Sequence, residues 1–393
     1  MKNKYKITYC SNIFKTNTAS ELFYNLNKYN TKLNKYKNLS LCLSNKIINE
    51  IKKNIYIRKI LTWTKINKKY ITLINAFVYK NFHQKIIKEN IYYPDWTKKE
   101  RLSFTKDIIF FAQKINNKYK KCGISTLPIS YKIWLRKNIK YNIKKCINYF
   151  FYLLIILIKI KKYKKIFIHL DIEPEPFCML ERCNDFVIFF NLWLLPGLKE
   201  KIKIHLNINK NKAKKIITDH LNLCFDICHS AVMFENQEKS LNLIRKSKIK
   251  IGRVQVSSAI KIKKINKIDK IEFKHLNFLN HSPFLHQTLI KIKKNLKLIK
   301  KNDFKKLKNI DTNAIKEIRI HCHIPIYIKK ISKNIQTTQN ELKKSLINII
   351  KNKDTKNLEI ETYTYNILYK KKNKITSMIK EYEWLKNLIK NNI

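Results

Sequence analysis

The sequence predicts an α/β fold of the (β/α)8 TIM-barrel class, with extended βα loops. Three observations carry this prediction. Short apolar runs of strand length recur along the 393 residues. Lys/Asn-rich segments with helical spacing, roughly 25–45 residues each, separate most of them, which is the pitch of strand–helix–strand units. The total length suits eight such units closed into one barrel.

The candidate strands, in order, are KITYC (6–10), LSLCLS (39–44), YITLINAF (70–77), GISTL (123–127), IFIHLDIE (166–173), LNLCFD (221–226), IGRVQVS (251–257), EIRIHCH (317–323) and LEIETYT (358–364). Nine candidates exceed the eight a barrel needs, and EIRIHCH reads as the supernumerary one. IKIKKINKIDKIEFKH (260–275) reads as a surface insertion, and 296–313 as a polar helical stretch. The chain is therefore expected to be one barrel domain over 1–393, with an insertion around 260–315. YFFYLLIILIKI (149–160) is too short to span a bilayer and reads as a buried amphipathic helix.

Composition narrows the function. Lys+Arg number 84 against 27 Asp+Glu, a formal charge of +57. A phosphate-binding surface is one reading. Codon bias of an A/T-rich genome is the other. The second is favoured, because Lys far outweighs Arg and the lysines spread over the whole length. Nucleic acid is thus a disfavoured partner.

Only 3 glycines are present, and neither dinucleotide nor P-loop phosphate motifs occur. Turns must rely on Asn, Asp and Lys, with Asn expected at many positive-φ positions. Nine scattered cysteines without a C-x-x-C read as small buried hydrophobes in a reducing compartment. MKNKYKITYC carries no signal-peptide apolar stretch, so a cytoplasmic location is expected.

Chemistry in such barrels sits at the C-terminal ends of strands. In this Lys-dominated chain, those ends hold carboxylates and imidazoles. HLDIEPEPFCMLE (169–181) carries Asp171, Glu173, Glu175 and Glu181 and no Lys or Arg. LNLCFD ends in Asp226, with His229 three residues on. IGRVQVS carries Gln255, EIRIHCH ends in His321 and His323, and LEIETYT carries Glu361.

Each residue alone has an ordinary explanation. Glu173 suits the start of a helix, Asp226 suits an Asx turn, and Glu361 suits a strand face. Their joint appearance at strand ends points to a divalent metal. The mixed oxygen and nitrogen donors admit Mn, Zn, Mg, Fe or Co. Cys228 and Cys322 alternate with the candidate ligands and are expected to point away.

A second cluster, INAFVYKNFHQKIIKENIYYPDWTKKERLSFT (74–105), offers Asn75, His83 and Arg101 as groups that line a sugar or polyol pocket. Its Tyr92, Tyr93 and Trp96 read as loop packing.

Several segments together resemble the EboE-type metabolite traffic proteins of the xylose-isomerase-like TIM-barrel superfamily. They are ITYCSNI (7–13), IYYPDW (91–96), GISTLP (123–128), LDIEPEPFCMLE, NLCFDICHSAVMFE (222–235), IGRVQVSSA (251–259), FLHQ (284–287), RIHCHIPIY (319–327) and LEIETYTYNIL (358–368). The resemblance runs almost end to end. It implies a divalent metal at the barrel mouth held by Glu173, Asp226 and Glu361, with His229 on a substrate oxygen or a second metal. The family's third ligand position falls on Gln255 rather than His, so His321 and His323 are expected to supply the missing imidazole. Glu175 and His286 join the substrate-binding set.

The implied activity is a metal-dependent sugar-phosphate or cyclitol isomerase or epimerase in a secondary-metabolite pathway, with Glu173, Glu361 and His229 catalytic. Two alternatives stand beside it: a phosphodiesterase of the related endonuclease branch, and a non-catalytic basic RNA-binding protein.

Overall fold

The computed structural model describes residues 5–53, 55–80, 88–115, 119–135, 137–263, 272, 274, 276, 277, 279, 282, 284–301, 303, 304, 312–364 and 374–392. His83, expected in the pocket, lies outside the described residues.

Eight strands form the barrel: β1 (Lys6–Tyr9), β2 (Asn38–Cys42), β3 (Tyr70–Asn75), β4 (Lys121–Thr126), β5 (Phe167–Ile172), β6 (Leu221–Asp226), β7 (Ile251–Val256) and β13 (Asn357–Ile360). All neighbouring pairs are parallel, in the order β1-β13-β7-β6-β5-β4-β3-β2. A parallel bridge between Cys10 and Ser40 joins the two ends of this order. The fold is a TIM barrel with helices around it, as eight of the nine predicted strands require.

The helices bury one face each, which is why their Lys/Asn-rich sequences suffice. Helix 139–164 carries the apolar run and buries Ile143, Cys146, Ile147, Phe150, Leu153, Leu154, Leu157 and Ile160, a spacing of three and four residues. No described helix is long and apolar enough to cross a membrane.

The ninth predicted strand is the supernumerary one. β11 (Ile315–Ile324) lies in a separate antiparallel sheet with β8 (Ser258–Ile262), β9 (Thr288–Ile292), β10 (Leu298–Lys301) and β12 (Ile335–Thr337), in the order β10-β9-β11-β8-β12. Within 296–313, expected to be helical, residues 298–301 are instead a strand paired with β9. The Leu289 and Ile290 face supplies a pairing partner that local helical spacing cannot anticipate. This sheet has its own core, with Ile260, Ile290, Ile318, Ile320 and Ile324 fully buried.

Turn chemistry differs from expectation. Of the twelve non-glycine residues with positive φ among the described residues, six are Lys (68, 88, 120, 165, 248, 353) and two are Asn (138, 207). The expected use of Lys is met, but Asn holds only two of these positions rather than many. Lys68, Lys165, Lys248 and Lys353 adopt the left-handed region just after helices, with exposed side chains. The cysteines meet expectation: all nine are free, and all but Cys42 are buried.

Period-two alternation turns D-x-E in β5, R-x-Q in β7 and E-x-E in β13 toward the barrel interior in two tiers. The lower tier is an ion network. Arg253 donates to Asp171 Oδ2 and Glu359 Oε2, each at 3.0 Å. His169 Nδ1 meets Asp171 Oδ1 at 2.6 Å, and Ser40 donates to Glu359. Arg253, Asp171 and Glu359 are fully buried.

Two of the three glycines face this network. A Cβ at Gly252 would overlap Asp171 Oδ1 and stand 2.5 Å from its Cγ. A Cβ at Gly123 would stand 2.6 Å from the His169 ring. No glycine has a positive φ, so what these positions need is room.

Candidate metal centre

The upper tier sits two residues further along each strand. Glu173 follows β5, and its N–H donates to Thr126 O of β4. Glu361 follows β13. Asp226 ends β6 and also caps the short helix 227–232, its Oδ1 accepting from His229 N at 2.9 Å. The Asx-turn reading therefore holds for Oδ1, and Oδ2 is left over. Asp226 Oδ2 is buried without a hydrogen-bond partner, 3.8 Å from both His229 Nε2 and His323 Nε2.

The second sheet brings the imidazoles. β11 places His321 and His323 on one face, and both turn inward to meet His229. His229 Nε2 lies 3.0 Å from His321 Nε2, which lies 3.0 Å from His323 Nε2. Each Nδ1 faces an acceptor: Pro174 O for His229 at 2.9 Å, Gln287 Oε1 for His321 at 2.6 Å, and Glu361 O for His323 at 2.9 Å. A ring that donates from Nδ1 presents a lone pair at Nε2.

The donor atoms fall into sets within 4.8 Å of one another: Glu173, Asp226 and Glu361; Asp226, His229 and His323; Glu175, His229 and His321; and Cys228, His321 and His323. The expectation that Cys228 points away is thus corrected. Its place on the first turn of helix 227–232 ends the strand alternation on which that expectation relied.

Surrounding groups fix the donors. Asn12 and Asn75 both donate to Glu361 Oε1, at 2.8 and 3.0 Å. Tyr92 Oη and Gln287 Nε2 donate to Glu175 Oε1, at 2.8 and 3.2 Å. His286 Nδ1 faces His321 O at 2.9 Å, and its Nε2 has no partner. Arg101 is fully buried and donates to the carbonyls of Ala76, Phe77 and Pro94, so the contacts it makes hold the loop around the site. Gln255 is fully buried, and neither of its amide atoms has a partner.

Electrostatics point the same way. Burial, then the neighbouring carboxylates, pushes Glu173 and Glu361 well above the usual carboxylate range. Burial raises Asp226 and lifts Glu175 to about 8. Burial also lowers His229 to about 3 and His323 to about 4, and holds His321 well down. Carboxylates driven toward neutrality beside imidazoles kept neutral are groups that a divalent cation stabilises in ligating form. The residues fit a metal: Asp226 Oδ2 and the Gln255 amide are buried polar atoms without partners, and three imidazole lone pairs converge.

Sequence reasoning missed Tyr92, assigned to loop packing, together with Asn12, Gln287 and the lower-tier network. The network had a signal. Asp171, Arg253 and Glu359 are charged residues at alternate positions inside otherwise apolar strands. Trp96 packs as expected and is fully buried, whereas Tyr93, expected to pack, is 46% exposed.

No family model matches the chain, and no curated protein matches it. Solved structures do. A xylose isomerase-like TIM-barrel protein from Mycobacterium smegmatis, in complex with magnesium, aligns at a TM-score of 0.51 and 9% identity, covering 100% of this chain and 99% of the other. A D-tagatose 3-epimerase-like protein aligns at 0.47 and 11% identity, covering 98% and 97%. The IOLI protein with a bound zinc atom aligns at 0.47 and 11%, covering 99% of each chain. At 9% identity the first likeness shows the TIM-barrel fold alone.

Proposed function

We propose that this protein is a metal-dependent sugar-phosphate or cyclitol isomerase or epimerase of the EboE type, acting in a secondary-metabolite pathway. The observation that carries the reading is the convergence of Glu173, Asp226 and Glu361 at the ends of three barrel strands, with donor atoms within 4.8 Å of one another. The magnesium in one fold neighbour and the in-order motifs EPEP–CMLE, D-x-C-H-x-A and H-x-H-x-P support it.

A divalent metal held by Glu173, Asp226, Glu361 and His323, with Gln255 beside them, would supply polarisation of a substrate carbonyl or hydroxyl oxygen. Glu173 takes the proton from the carbon beside that oxygen, and Glu361 returns one from the other side. Asn12 and Asn75 hold Glu361 Oε1 and so orient its carboxylate. His229, its tautomer set by Pro174 O, accepts a substrate hydroxyl. Asn75, His83, Glu175, Arg101 and His286 form the remaining substrate-binding set. A strongly basic chain favours anionic, phosphorylated substrates.

The test is solvent exchange. Metal-loaded protein incubated with sugar phosphates and cyclitols in D2O is expected to place deuterium at one carbon, and E173Q and D226N to abolish this. Turnover unchanged in both variants would sink the assignment. The convergent imidazoles favour one second reading, phosphodiester hydrolysis. Cleavage of bis(p-nitrophenyl) phosphate without deuterium exchange would select it.

A further inference from the structure

We propose that the outer faces of helix 139–164 and of the helical segment 183–206 form the surface on which a second copy of this chain docks. The first helix links β4 to β5, and the second lies in the connection from β5 to β6. The surface stands whether or not a metal is bound.

Cations are missing here. Lys and Arg number 84 in 393 residues, yet residues 146–158 (CINYFFYLLIILI) and 183–198 (CNDFVIFFNLWLLPGL) contain none. The cation-free runs 166–181 and 216–238 lead through β5 and β6 into the metal centre. The helical pair has no such reason. Burial explains its inward positions only. The fully exposed positions of the two runs are Asn148 and Tyr152 on the first helix, and Asn184, Ile188, Leu192 and Pro196 on the second. The last four recur at intervals of four residues, as one exposed stripe does on a helix.

The two helices present these side chains together. Cys183–Phe189, Phe190–Leu194 and Leu195–Leu206 run on as one helix, the middle segment as a π turn. The extra residue of a π turn re-aims the side chains around it, and Leu192 within it is 68% exposed. Gly197, the third glycine, lets this helix close on the first: an added Cβ would stand 3.0 Å from Ile147. Further along, the rings of Phe151 and His205 meet edge to face at 5.6 Å. Tyr152, 58% exposed, and Ile204, 76% exposed, thus stand with Leu192 on neighbouring helices. Large apolar side chains gathered in this way mark an interaction site.

Charge selects the occupant. Two copies carrying +57 each repel wherever lysine faces lysine. A two-fold dimer sets each patch against itself, so the patch must tolerate its own copy. Residues 146–158 and 183–198 do so, with Asp185 the one formal charge in both runs. Cations return just beyond, at Lys199, Lys201 and Lys203, and an apolar centre with a polar rim is the usual anatomy of an interface. A nucleic acid or an acidic protein would seat on lysines. An anionic membrane would too, because its apolar anchors stand among Lys and Arg. A face without cations suits none of these and suits a second copy.

Sedimentation equilibrium of the full chain over a micromolar concentration range, at low and high salt, tests this. Wild type is expected at twice 47.4 kDa, and more tightly paired at high salt, where repulsion between the rims is screened. I188K with L192K is expected to weaken the dimer at least about 100-fold, since like charges are then opposed. I188S with L192S, which adds no charge, is expected to weaken it about 10-fold. Both pairs replace exposed side chains, so circular dichroism should match wild type. A wild-type monomer at both salts overturns the proposal. So does a dimer that neither pair of substitutions weakens, because it must use another face. A monomer that co-sediments with phosphatidylcholine vesicles, and ceases to in I188K with L192K, overturns it in favour of a membrane.

Discussion

Gly252→Ala tests the idea that the interior of this barrel is arranged around a buried charge. The added Cβ would overlap Asp171 Oδ1 and stand 2.5 Å from Asp171 Cγ, so the carboxylate must move. Overpacking of this kind costs about 1–3 kcal/mol. Moving Asp171 off Arg253 breaks a buried ion pair, a loss of about 3–5 kcal/mol. The lower ends together give about 4 kcal/mol, a large fraction of the roughly 5–15 kcal/mol that holds a typical protein folded. The assay is urea unfolding of wild type, G252A, D171A and the double variant. With the Asp171 carboxylate removed, the alanine has room, and its cost should fall below about 1 kcal/mol. Equal penalties in both backgrounds, or a single penalty below about 1 kcal/mol, would refute the reasoning.

Other outcomes follow from the same structure. R253M leaves Asp171 and Glu359 buried without their cation, and thermal and urea unfolding should show a loss of about 3–5 kcal/mol. Q255M removes an amide that has no partner; metal-free protein should keep its stability within about 1 kcal/mol, while isothermal titration should show weaker Mn²⁺ binding.

His220, outside the metal centre, is lowered to about 4 by burial. Its neutral form is favoured in the fold, so its contribution is present above pH 6.5 and is lost as pH falls toward 4, by about 1 kcal/mol per pH unit. Urea midpoints measured between pH 4 and 7 should be less pH-dependent in H220Q. Glu381, raised to about 7 by burial, has the opposite sign. Its contribution is present below pH 4.5 and is lost as pH rises to 7, so the same series in E381Q should lack that loss.

Much of the site was legible in one dimension because strands expose it. A carboxylate at a strand end, or a pair such as His321 and His323 two residues apart, carries its direction in the alternation. Asp226 was legible as a cap, and the structure gives that role to Oδ1 while leaving Oδ2 without a hydrogen-bond partner. Tyr92 was not legible, because a tyrosine in YYPDW looks like loop packing until Glu175 and Gln287 arrive from 83 and 195 residues away. The strand at 298–301 was hidden for a related reason: its partner, β9, defines it.

The sequence alone determined the barrel, since apolar period-two runs separated by amphipathic helices leave few other ways to bury both. It also marked out the candidate residues, because carboxylates and imidazoles are scarce against so many lysines. Tertiary structure alone decided how those residues are shared. It set three imidazole lone pairs against one another, and it used an antiparallel sheet to bring two of them over a barrel that supplies the carboxylates. Donor grouping is a matter of distance between elements far apart in the chain, and no local pattern encodes such a distance.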